Sequence, residues 1–130
     1  MKAAQFRICP ESGLQFHKSA ETLIRANAVL AVIALLVGGV TALLITLTRW
    51  PTVHLLPADK FYQLLTTHGI NMLIFWIIFF EIAVLYFCSS TLLRCRLATP
   101  KLAWLAFALM VGGAVMNNVS VFSGNSSVMM

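Results

Sequence analysis

His68 is the residue whose setting most restricts its chemistry. It is the eighth residue of an uncharged run from Phe61 to Phe80, whereas His17 and His54 lie in polar, punctuated segments. An ionisable ring inside an apolar run must find a partner, and a neutral imidazole has two uses there. It can hydrogen-bond to a neighbouring helix as packing glue. It can also ligate a metal, haem iron included, through one ring nitrogen while a hydrogen bond orients the other. Gly69 beside it would let a flat macrocycle lie close to the backbone, and Met72, Phe75 and Phe79 follow at i+4, i+7 and i+11, roughly on one helical face. That stripe suits an apolar slot, and it equally suits an ordinary interhelical core. A low-spin haem needs two axial ligands, and no second histidine lies in the apolar runs, so this chain alone does not complete such a site.

Other candidates carry less. Cys9, Cys88 and Cys95 form no C-x-x-C pair and are odd in number, which points to free thiols rather than to a zinc site or a disulfide framework. Glu81 follows His68 by 13 residues, roughly 20 Å of helix, and reads as part of a proton uptake route or, more simply, as a carboxylate at headgroup level. Asn117, Asn118, Ser120 and Ser123 add polarity near the end of the last apolar run, and N-x-S occurs at Asn118 and Asn125, a pattern that matters only in a glycosylating compartment. None of these is assigned a role.

The elements that must position these residues are membrane helices. Sixty per cent of the 130 residues are hydrophobic and only 10% charged, too few charges to solvate a globular surface, so the apolar excess faces lipid. The net charge of +5 comes from residues that flank the apolar runs instead of forming a basic stripe, which excludes a nucleic-acid surface and gives a topology signal. Ala26 to Thr48 is uncharged and covers roughly 35 Å as helix, enough for a hydrocarbon core of about 30 Å. Gly38 and Ala42 give this span a small-xxx-small face. Pro51, Pro57 and Asp59 break the chain before a second span, about 61–93, interrupted by Glu81 and long enough to project beyond the hydrocarbon. Arg94, Arg96, Pro100 and Lys101 then precede a third, about 102–122, where Ala108 and Gly112 repeat the small-residue spacing.

The expected organisation is an all-α membrane protein: a cytoplasmic segment 1–25, a three-helix transmembrane segment 26–122, and an extracytoplasmic end 123–130. About 25 mixed polar residues precede the first run, so no cleaved signal peptide is expected. Lys2, Arg7, Lys18, Arg25, Arg94, Arg96 and Lys101 fall on one side and only Arg49 and Lys60 on the other. Seven against two places the N-terminus and the second loop in the cytoplasm. His68 then lies roughly 10 to 12 Å beneath the outer boundary.

The stretch LLPADKFYQLLTTHGINMLIFWIIFFE, preceded by GGVTALLITLTRW, resembles helices I and II of the catalytic subunit I of haem-copper oxygen reductases, most like the branch that includes the type-B cytochrome c oxidases. The core of the resemblance is YQLLTTHG, and the tail SVFSGNSSVMM is similar to the end of the family's third helix. The resemblance implies that His68, in the T-x-H-G motif, is one axial ligand of the low-spin haem iron. Arg49, at the outer end of the first span, suits a haem propionate, since a guanidinium matches a carboxylate bidentately, and equally suits a charge anchoring the helix end at the headgroups.

Family members have about a dozen helices, and the other haem and copper ligands lie on later ones. The chain is therefore read as a fragment or split-gene product of a bacterial or archaeal cytoplasmic-membrane oxidase, and by itself should not reduce oxygen. Its implied partners are the remainder of subunit I, oxidase subunit II, the lipid bilayer, and an external donor such as a cytochrome c or cupredoxin, with no nucleic acid. Two other readings stay open: the catalytic subunit of a nitric oxide reductase, which shares the low-spin haem arrangement, and a small structural or assembly subunit that holds no cofactor.

Overall fold

In lipid, a backbone has no hydrogen-bonding partner but itself, so uncharged runs of this length close into helices. The computed structural model describes residues 6–124 and contains three helices long and apolar enough to cross a membrane. Lys2, Asn125 with its N-x-S pattern, and the rest of the polar tail lie outside the described residues.

A two-stranded antiparallel hairpin, which the all-α expectation does not contain, precedes the helices: β1 (Phe6–Ile8) and β2 (Gln15–His17), with Phe6 opposite His17. Gly13, at φ +66°, makes its turn, and its N–H donates to the Cys9 carbonyl at 2.9 Å. Helix α1 (Lys18–Arg49) follows without a break, beginning well before the uncharged run. His17 caps it, its Nδ1 accepting from the Ser19 N–H at 3.3 Å, and Glu21 and Arg25 pair at i,i+4 with 2.6 Å between them. These polar interactions extend the helix where hydropathy is silent.

The second rod is α2 (Ala58–Ile70), a π-helical turn (Asn71–Phe75) and α3 (Trp76–Thr91). At the turn the Trp76 N–H reaches back five residues to the Asn71 carbonyl. One extra residue is thereby inserted, rotating everything beyond it by about 100° relative to an uninterrupted α-helix. Helix α4 (Pro100–Phe122) starts on a proline, whose missing N–H costs nothing in a first turn.

Contacts fix an up-down-up order. The Arg49 guanidinium lies over the Phe61 ring, Gly38 meets His68 and Met72, and the Ser90 hydroxyl accepts the His17 N–H at 2.8 Å, so α1 and the second rod run antiparallel. Asn71 bonds to Asn118 and Phe79 meets Phe107, so α4 runs antiparallel to the rod. The interior is narrow, built on Leu23, Ala31, Ala34, Phe79, Ala83 and Val121, whereas Leu36, Leu43, Leu73, Leu109 and Met116 are 65–73% exposed, as lipid-facing side chains are. Threonines turn their hydroxyls onto their own helix: Thr41, Thr46, Thr48, Thr66 and Thr67 each donate to the carbonyl four residues back, at 2.7–3.0 Å.

The two small-residue faces behave differently. A Cβ at Gly38 would lie 2.5 Å from Met72 Sδ and 2.6 Å from its Cγ, so a side chain there would have to displace that of Met72, whose backbone N lies 3.6 Å away. Gly112 has nothing within 4 Å of a Cβ and, with Ala108, is exposed, so this second device joins no helix among the described residues. Gly38→Ala should destabilise the bundle by about 1–3 kcal/mol, the cost of overpacking, and adding Met72→Ala should recover much of that loss, as read from thermal unfolding by circular dichroism. Strictly additive effects would contradict the packing at Gly38.

Candidate functional site

Helix α2 carries the YQLLTTHG segment, and its Thr67–His68 step faces α1. Thr67 is buried, with its hydroxyl donating to the Gln63 carbonyl, and His68 is half-buried beside it. The His68 Nδ1 is 2.8 Å from the carbonyl oxygen of Gly38 on α1. A carbonyl only accepts, so Nδ1 carries the proton and donates. In the neutral ring this leaves the Nε2 lone pair free to ligate. His17 is the opposite case, since its Nδ1 accepts from the Ser19 backbone N–H.

The Gly38 carbonyl also accepts from the Thr41 hydroxyl at 2.9 Å. Two features of α1 therefore converge on one imidazole: a carbonyl that orients the ring, and a buried threonine that shares that carbonyl. An oriented imidazole of this kind can bind iron as an axial ligand, because the second-nitrogen hydrogen bond sets the tautomer and the ring plane. Gly69 supplies a second observation. A Cβ there would meet nothing within 4 Å, so the space beside His68 is open, and the three helices themselves do not require glycine at that position.

The expected apolar stripe below His68 does not hold as one wall. Met72 packs over Gly38, while Phe75 and Phe79 line a cleft of about 270 Å³ between α1, the rod and α4, and His68 does not border that cleft. The π-helical turn explains the split, because the extra residue moves Phe79 off the face that strict α-helical spacing assigns to it.

Arg49 stands at the same end of the α1–α2 interface as His68, with its Cζ 5.7 Å from the centroid of Phe61. Phe61 and His68 are about two helical turns apart, roughly 10 Å. Arg49 is exposed and has no carboxylate partner among the described residues. Glu81 projects from α3 with an exposed side chain and, among the described residues, no salt-bridge partner. Cys9, Cys88 and Cys95 are free thiols, and no group of three histidine, cysteine or acidic side chains among the described residues could hold a metal ion.

Sequence reasoning passes over two buried amides. Asn71, 3% exposed, donates through Nδ2 to the Thr67 carbonyl at 2.9 Å and to Asn118 Oδ1 at 2.7 Å, tying the π-helical turn to α4. Asn27, 1% exposed, donates to the Leu23 carbonyl, but its Oδ1 has no hydrogen-bond partner among the described residues. Asn71 was legible in principle, as a polar residue three positions after His68 within an apolar run. Asn118→Leu should weaken the docking of α4 by about 1 kcal/mol, whereas Asn117→Leu should change little, because Asn117 makes no side-chain hydrogen bond among the described residues. Equal effects in detergent unfolding would contradict the Asn71–Asn118 link.

The sequence from residue 22 to residue 130 matches the family model described as cytochrome c and quinol oxidase polypeptide I. The match takes in nearly all of α1, the whole second rod with His68 and Asn71, and α4 with Asn118. No curated protein and no solved structure matches the chain significantly. An integral membrane protein with three membrane-length helices and a family match over more than four-fifths of its length, this chain belongs to the cytochrome c and quinol oxidase polypeptide I family.

Proposed function

We propose that this chain is the N-terminal three-helix segment of subunit I of a haem-copper terminal oxidase, of the type-B branch, and that His68 is one axial ligand of its low-spin haem. The observation that carries the reading is the 2.8 Å hydrogen bond between His68 Nδ1 and the Gly38 carbonyl, which directs the basic nitrogen, Nε2, away from α1. When bound, that haem supplies a one-electron relay between an external donor, such as a cytochrome c or cupredoxin, and the oxygen-reducing centre.

The chain's own residues have distinct tasks in this reading. The Gly38 carbonyl holds the imidazole, Gly69 keeps the approach to it open, and Arg49 provides a guanidinium for a propionate carboxylate. The opposite axial ligand, the second haem and the copper belong to the remainder of subunit I, and subunit II and the donor meet the assembly from the Arg49 side. The N-terminus faces the cytoplasm of a bacterial or archaeal cell, in keeping with the distribution of lysine and arginine.

Replacing His68 with glycine in the intact oxidase should abolish the low-spin haem absorption band, and added imidazole should restore it by occupying the vacated position. A spectrum unaltered by the substitution would rule out the ligand assignment. Arg49→Gln should lower the midpoint potential of the same haem, because a cation beside the propionates disfavours the extra positive charge of ferric iron. An unchanged potential would leave Arg49 as a helix-end anchor.

A further inference from the structure

Arg7 on β1 and Arg25 on α1 approach the same carboxylate oxygen, Glu21 Oε1, at 2.9 and 2.6 Å. One carboxylate cannot neutralise two guanidinium groups, so the cluster keeps a net positive charge, and each guanidinium has five N–H donors of which Glu21 engages few. The two arginine side chains are 54% and 69% exposed. With Glu21 they rim a cavity of about 320 Å³, whose remaining walls are Cys9, Phe16, Ile24 and Phe87. One side of this cavity is cationic and the other apolar, and its volume falls within the ~300–1,000 Å³ typical of small-molecule sites.

Its place in the fold points to the ligand. Helix α1 has 32 residues, a length of roughly 48 Å against a hydrocarbon core of about 30 Å, so its first turns stand at headgroup level. Arg25, Val29, Val32 and Leu36 follow at i, i+4, i+7 and i+11 on one face, and the last three are 57%, 63% and 65% exposed. This apolar track leads from the guanidinium groups towards the middle of the span.

We propose that the cavity binds one anionic phospholipid, with its phosphate on Arg7 and Arg25 and its acyl chains along Val29, Val32 and Leu36. The β-hairpin then has a purpose beyond capping α1, because it brings Arg7 to a helix whose own sequence supplies only Arg25. The inference rests on the membrane setting of the helices and stands apart from the haem reading.

Cys9 is a built-in reporter. It lines the cavity, and hydrogen bonds from Ser12, the side chain first, hold its thiol below the ordinary thiol range. Cys95, exposed in the connection after α3, is at the same end of the bundle and senses only the general surface potential. The full-length protein would be placed in nanodiscs of phosphatidylcholine alone or with a minor fraction of phosphatidylglycerol, and maleimide modification of both thiols followed by mass spectrometry.

Phosphatidylglycerol should slow Cys9 several-fold relative to Cys95. Inorganic phosphate added to phosphatidylcholine discs should not reproduce the effect. Arg25→Lys should keep most of the protection, and Arg7→Gln with Arg25→Gln should remove it while leaving the Cys95 rate unchanged. Equal slowing of both thiols, full protection by inorganic phosphate, or protection that survives loss of both arginines would each overturn the proposal.

Discussion

A hydrogen bond between a ring nitrogen and a backbone carbonyl organises this bundle. Between two helices in lipid, a polar ring without a partner is costly, and His68 meets that demand on α1 through the Gly38 carbonyl. Beside the bond, the Met72 side chain occupies the space a Cβ on Gly38 would take. The bond ties α2 to α1 and sets the tautomer of the imidazole. Nε2 is thereby left as a basic nitrogen on an oriented ring next to an open glycine, Gly69. A structural role for His68 and the proposed ligand role are thus compatible, since the packing bond uses one nitrogen and leaves the other available.

The π-helical turn three residues later divides the second rod into two halves with different orientations. Above it, α2 addresses α1 through Thr67 and His68, and below it α3 turns Phe79 and Ala83 inward. Asn71, at the start of the turn, bonds to Asn118 and so links this change of face to the placement of α4. The Asn71 side-chain amide also donates to the Thr67 carbonyl, so both of its hydrogen bonds lie at the point where the α-helical register changes.

The sequence made the helices legible because composition alone forbids other structures in lipid, and it singled out His68 because an imidazole stands out against an apolar run. It also exposed the close approach at Gly38 through small-residue spacing. The same spacing at Ala108 and Gly112 reads identically and yet faces outward, since the pattern says that a helix can be approached, not which neighbour does so. The His68–Phe79 stripe reads as an interhelical core, which Phe79 joins, but not as one face, because periodicity assumes unbroken α-helical geometry and nothing in NMLIF marks a five-residue turn. The hairpin escaped notice for a related reason: its strands are three residues each, too short for alternation to register. The Asn71–Asn118 pair and the Arg7–Glu21 contact join residues far apart in the chain, which no local pattern encodes.

The tautomer of His68 tests this account most directly. Solid-state nitrogen NMR of the metal-free chain in bilayers, with His68 ring-labelled and the Gly38 carbonyl carbon labelled, reports which ring nitrogen carries the proton and what lies next to it. Protonated Nδ1 correlated with the Gly38 carbonyl, together with an unprotonated Nε2, is the predicted result. A proton found on Nε2 with Nδ1 bare would contradict it.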